Sequence, residues 1–118
     1  MPGAKRNKPV KERVLALVAA IPPGRVATYG DLARRLRLSP RQVAGVLARL
    51  TAEEAETVAW HRIVGSGGFI STTKLGAVGQ RQIEHLRREG VFVKSRNFID
   101  DFESVRWLPN RKTQKSRE

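Results

Sequence analysis

Thr28-Tyr29-Gly30-Asp31-Leu32-Ala33-Arg34-Arg35-Leu36, followed after Arg37-Leu38 by Ser39-Pro40-Arg41-Gln42-Val43-Ala44-Gly45-Val46-Leu47-Ala48-Arg49-Leu50, contains two helix starts in quick succession. Thr28 and Asp31 have the spacing of a capping box, in which a hydroxyl and a carboxylate each satisfy a backbone N–H that the first helical turn leaves unpaired. Ser39 repeats the signal as an N-cap, and Pro40 suits the first helical position because its missing N–H is not needed there. Val43, Val46, Leu47 and Leu50 then recur at helical spacing. Two short helices joined by a tight turn form a helix-turn-helix, with residues 40–50 in the recognition position.

Outward from this pair, Val14, Leu15, Leu17, Val18 and Ile21 give residues 11–20 the pattern of a first helix, which Ile21-Pro22-Pro23-Gly24 ends. Thr51 to Thr57 is acidic and reads as a loop or a ragged helix end. Ile63-Val64 and Phe69-Ile70 flank Gly65-Ser66-Gly67-Gly68, a β-hairpin pattern. Residues 80–89 predict a helix with Ile83 and Leu86 on its inner face and Gly90 as its cap. Val91-Phe92-Val93 and Val105-Arg106-Trp107-Leu108 read as short strands. The expectation is a mainly α (α+β), winged-helix-like domain with a small hairpin, spanning residues 11–109 between basic, disordered arms at 1–10 and 110–118.

Charge narrows the partners. Lys and Arg number 23 against 11 Asp and Glu, a formal net charge of +12. The two arms carry +3 each, which leaves +6 on residues 11–109, so the folded part itself should seek a polyanion, with nucleic acid first. The chain has no cysteine, which excludes disulfides, thiolate metal sites and a cysteine nucleophile together. His61 and His85 lie in different elements without metal-ligand spacing, so neither metal nor cofactor is expected. No apolar run or leader pattern points to a membrane, and a cytoplasmic, nucleoid-associated monomer is the expectation.

Three blocks carry a resemblance. Ile21-Pro22-Pro23-Gly24-Arg25-Val26-Ala27-Thr28-Tyr29-Gly30-Asp31-Leu32-Ala33 is followed by Arg41-Gln42-Val43-Ala44-Gly45-Val46 and then by Trp60-His61-Arg62-Ile63-Val64. Together they resemble the DNA repair enzymes that remove alkyl groups from O6 of guanine, whose corresponding motif is Pro-Cys-His-Arg-Val. Tryptophan in place of the acceptor cysteine marks the similarity to their non-enzymatic relatives, the alkyltransferase-like proteins. The resemblance implies a protein that binds O6-alkylguanine in duplex DNA, flips the base into a pocket at Trp60 and leaves the alkyl group in place, flagging it for nucleotide excision repair proteins. Departures from the family pattern are Ala59 where proline is usual, Ala44 in place of a helix glycine, and a shorter interval between Tyr29 and Arg41.

The same resemblance distributes roles. Tyr29 would press on the target phosphate, Arg41 would fill the space left by the extruded base, and Ser71 would reach the base from a lid. Arg62 either holds that lid or faces the base. His61 and Glu89, which activate the thiol in the enzymes, would brace the pocket here. Indole has no thiolate-like nucleophilic form, so Trp60 can recognise an alkylated base and cannot accept its alkyl group. Physical size gives the recognition helix a reason of its own: the minor groove is only about 6 Å wide, and small residues such as Ala44 and Gly45 let a helix approach it. Arg34, Arg35 and Arg49 are candidate phosphate contacts. A winged-helix transcriptional regulator reading sequence in the major groove would explain the helix-turn-helix and the charge equally well, but neither the Tyr29 block nor the Trp60 motif.

Overall fold

The computed structural model describes residues 8–70, 77–94 and 97–109. Helix α1, Val10–Ala19, packs on α2, Tyr29–Leu36, and α3, Pro40–Ala48. Both capping boxes form: Thr28 Oγ1 accepts from the Asp31 N–H at 2.9 Å while the Thr28 N–H donates to Asp31, and Ser39 and Gln42 make the equivalent pair at 3.1 and 2.8 Å. Such caps are worth about 0.5–2 kcal/mol each. Helix α2 ends on Arg37 in the left-handed region, and the Leu38 N–H returns to the Ala33 carbonyl at 2.9 Å. That turn sets α3 against α2, and Val14, Val18, Leu32, Ala33 and Val43 close the core between the three helices.

A third capping box lies in a stretch expected to be a loop or ragged helix end. Thr51 and Glu54 begin a short helix, α4, Ala52–Thr57, whose Thr-x-x-Glu signature overrides the acidic composition. After a single 3₁₀ turn at Trp60–Arg62, the chain makes its regular strand pair, and this is the main correction to the expected hairpin. Strand β2, Ile63–Val64, lies parallel to β1, Ala27–Thr28, in register Ala27 with Ile63 and Thr28 with Val64. Gly67 and Gly68 take positive φ and curl Ser66–Gly68 into a tight turn, closed by the Gly65 N–H on the Phe69 carbonyl at 2.7 Å. The Ile63-Val64 backbone is therefore paired with a segment far away in sequence rather than with Phe69-Ile70.

Helix α5, Ala77–Arg88, covers the second core of Val26, Val64, Ile70, Ile83, Leu86, Val91 and Ile99. The expected strand at 91–93 does run antiparallel to another segment, residues 98–100, with Lys94 and Asp100 N–H groups donating to the Phe98 and Phe92 carbonyls at 2.7 and 2.8 Å. Residues 105–108 are not a strand beside it. Val105 ends a one-turn helix, α6, Phe102–Val105, and Arg106 instead pairs with Val26. Of the expected arms at 1–10 and 110–118, residues 1–7 and 110–118 lie outside the described residues, as does Ser71, whereas Val10 already belongs to α1.

Candidate functional site

Trp60 stands in the wall of a cavity of about 650 Å³ formed between α4, the turn before β2, and α5. Ala52, Ala55, Val58 and Ala59 give it an apolar side, and Arg81 and His85, one turn apart on α5, give it a polar one. The indole is held in place: its Nε1 donates to the Ala55 carbonyl at 3.1 Å, and His61 meets it edge-on with ring centroids 6.5 Å apart. Cavities of about 300–1,000 Å³ with a few placed polar groups are the usual size of small-molecule sites.

Behind the cavity the Glu89 carboxylate collects three neighbours. Arg62 donates from Nε at 3.0 Å and from Nη2 at 2.6 Å, His61 Nε2 lies at 2.9 Å, and the Gly24 N–H reaches it at 3.1 Å. Burial alone would raise the Glu89 pKa, but the hydrogen bonds from Arg62, His61 and Gly24 outweigh it and hold the carboxyl at about 2. Burial also lowers the His61 pKa, against the pull of Glu89, so the imidazole is neutral near pH 7. His61 and Glu89, the pair expected to brace the pocket, are hydrogen-bonded to each other, and Arg62 joins the same carboxylate. Arg62, a candidate for the lid or the base, lines the same cavity while its guanidinium donates to Glu89 and to the Ile21 carbonyl at 2.9 Å.

On the helix-turn-helix, Tyr29 opens α2 and packs on the three-helix core while lining a second cleft of about 490 Å³ with Arg34, Pro40, Ser66 and Arg106. Burial pushes its hydroxyl pKa up, so it stays a neutral phenol. Arg41 is exposed in the first turn of α3 and makes no hydrogen bond or ion pair among the described residues. Ala44 and Gly45 sit half-buried one turn further on. Arg34, Arg35 and Arg49 are all exposed, Arg34 beside Asp31 at 3.5 Å and Arg49 reaching the Gly45 carbonyl at 3.4 Å.

Residues 9–91 match the family model described as 6-O-methylguanine DNA methyltransferase, DNA binding domain. A DNA base-flipping protein of Escherichia coli is 48% identical over 99 residues, 81% of this chain and 72% of its own. Alkyltransferase-like protein 1 of Schizosaccharomyces pombe is 40% identical over 81 residues, 67% of this chain and 73% of its own. The crystal structure of the S. pombe protein with damaged DNA containing O6-carboxymethylguanine superposes with a TM-score of 0.70 at 33% identity, covering 82% of this chain and 93% of that one. The chain belongs to the alkyltransferase-like family.

Several residues that shape this alkyltransferase-like site escaped the sequence reading. Gln82 is buried on α5 and donates to the His61 and Ile63 carbonyls at 3.1 and 3.0 Å, tying the Trp60 turn to the helix. Its position next to Ile83 and four before Leu86 places it on the inner face, which is the signal that could have found it. His85 stacks on His61 with centroids 4.8 Å apart. Arg106 grips Asp31 with two hydrogen bonds, at 3.0 and 2.7 Å; no local pattern announces a contact across 75 residues.

Proposed function

We propose that this protein binds O6-alkylguanine in duplex DNA, rotates the damaged nucleotide out of the helix into the Trp60 cavity, and leaves the alkyl group attached. The observation that carries this reading is a base-sized cavity with an apolar indole in its wall, in a chain without a single thiol. A nucleophile is the one group alkyl transfer requires at that place, and Trp60 stands where the enzymes of the family have theirs. Residues that activate a thiol in the enzymes have no thiol to serve here and hold each other and Arg62, so their work becomes support of the cavity wall.

Selectivity follows in two steps. A base that pairs poorly costs less of the few kcal/mol needed for unstacking, and the cavity then rewards the alkyl group with apolar contact. Arg41, exposed and without a hydrogen bond or ion pair among the described residues, supports the reading that its side chain occupies the vacated position in the stack, while Tyr29 at the head of the preceding helix presses on the backbone. Relatives named for base flipping, or crystallised on damaged DNA, support the same assignment. Because nothing is removed, the benefit lies in marking the lesion for nucleotide excision repair, in the compartment that holds the DNA. The deciding experiment titrates the protein against matched duplexes with guanine or O6-methylguanine, followed by intact mass measurement. Preferential lesion binding with unchanged protein mass is expected; a stoichiometric methyl adduct, or equal affinities, would overturn the proposal.

A further inference from the structure

The cleft beside Tyr29 holds a charge arrangement that base flipping into the Trp60 cavity does not itself require. Asp31 is completely buried at its side chain, yet two arginines converge on it. Arg106 approaches as a fork, Nε to Oδ2 at 3.0 Å and Nη2 to Oδ1 at 2.7 Å, and its guanidinium lies 5.5 Å over the Phe102 ring. Arg34, 63% exposed, holds its Nη2 3.5 Å from the same carboxylate. Burial pushes the Asp31 pKa up, but Arg106 and the Thr28 N–H more than compensate, so the carboxylate stays charged and the arginines stay anchored. Both arginines line the cleft with Tyr29, Pro40, Ser66 and Gly67.

We propose that Arg34 and Arg106, oriented by Asp31, form a clamp for one DNA phosphate in the cleft beside Tyr29; the proposal rests on the lesion-binding reading above. Guanidinium has five N–H donors. Asp31 takes two from Arg106 and Glu103 takes one at 3.3 Å, which leaves donors on both Nη atoms for a further acceptor. The planar fork suits phosphate oxygens, and a side chain already fixed by a buried carboxylate loses little freedom on binding. Pro40 in the cleft wall begins α3, so DNA lying against the neighbouring Arg41 would pass over the opening. Glu103 is the counterweight. At 75% exposure it is bound only loosely, and an arriving phosphate displaces it from Arg106. Arg106 lies beyond the residues 9–91 that the family model matches.

The test measures affinity against salt, by fluorescence anisotropy, on an O6-methylguanine duplex and its undamaged counterpart. Arg106→Gln and Arg34→Gln should each weaken lesion binding several-fold and reduce the salt slope by about 1, Arg106→Lys should keep the slope, and Glu103→Gln should bind more tightly. Replacing single phosphates near the lesion by neutral methylphosphonate should reveal one position that weakens the wild-type protein and leaves Arg106→Gln no weaker than before. Unchanged slopes in folded Arg34→Gln and Arg106→Gln, with no methylphosphonate position at which the two proteins differ, would overturn the clamp. Should Arg106→Gln fail to fold, the exposed Arg34 decides alone by the same slope and phosphate readings. Wild-type protein without lesion preference would sink the reading of the previous subsection instead, while the slope and methylphosphonate arms on undamaged duplex would still judge the clamp.

Discussion

Glu89→Gln isolates the charge at the centre of the site while keeping its shape. The carboxyl falls from its ordinary 4.5 to about 2 in the folded protein, and at about 1.4 kcal/mol per pH unit this places about 3 kcal/mol of stability in the ionised form. With only 16% of the side chain exposed, solvent screens little of it. The sign is set by linkage: because folding depresses the pKa, the contribution is complete above about 4.5 and is lost as the pH falls through about 2. Urea unfolding at pH 7 should therefore find the variant about 3 kcal/mol less stable, close to the cost of breaking other buried ion pairs. Between pH 6 and pH 3 the gap should shrink by about 2 kcal/mol, because the unfolded wild-type chain takes up a proton that the folded one still refuses. A gap that stays constant across that range, or never exceeds about 1 kcal/mol, would refute the assignment of Glu89 as the charged brace.

Trp60→Ala should cost one to two decades of affinity for lesion DNA and far less on undamaged duplex, since stacking a base on an aromatic ring is worth about 1–3 kcal/mol; titration of both duplexes checks it. Arg41→Ala should lose more on lesion DNA than on undamaged DNA, whereas Arg35→Ala should weaken the two equally, as the ratio of affinities will report. Gly68→Ala, at φ 90° and with its new methyl 3.0 Å from Phe102 Cδ1, should destabilise by about 1–3 kcal/mol. Gly67→Ala has open space around it and should cost less in the same thermal melts. The His61 ring protons should titrate below pH 6.5 in NMR spectra, since burial disfavours the imidazolium.

What was legible in the chain was local. Caps at Thr28 and Ser39 are written in neighbouring residues, and apolar spacing places α1, α3 and α5 within a few residues of where they stand. Thr51 and Glu54 carried the same signal and were masked by an acidic composition. The pair β1 and β2 has two residues per strand, too few for any alternation to register, and its partners lie far apart. Motif resemblance placed Trp60, His61 and Glu89 in one neighbourhood, as they are, but motif spacing says nothing of direction. It could not reveal that Arg62 donates to Glu89 and Ile21, nor that Asp31 serves Arg106 as well as its own cap.

The pairing of Val26 with residues 105–107 bears on how the protein comes into being. The Val26 N–H waits for the Val105 carbonyl, and the Trp107 N–H closes on Val26 at 2.7 Å, so the entrance to the tyrosine helix is sealed by residues that leave the ribosome long after it. Until then the segment before Tyr29 has a bare backbone edge, and at roughly 5–20 residues per second that exposure lasts for seconds of synthesis. Cleavage of the finished protein between residues 91 and 105 would reopen the same edge. The stretch that the family model matches thus ends before residues that close its own backbone, and their contribution is felt far back along the chain, at Val26.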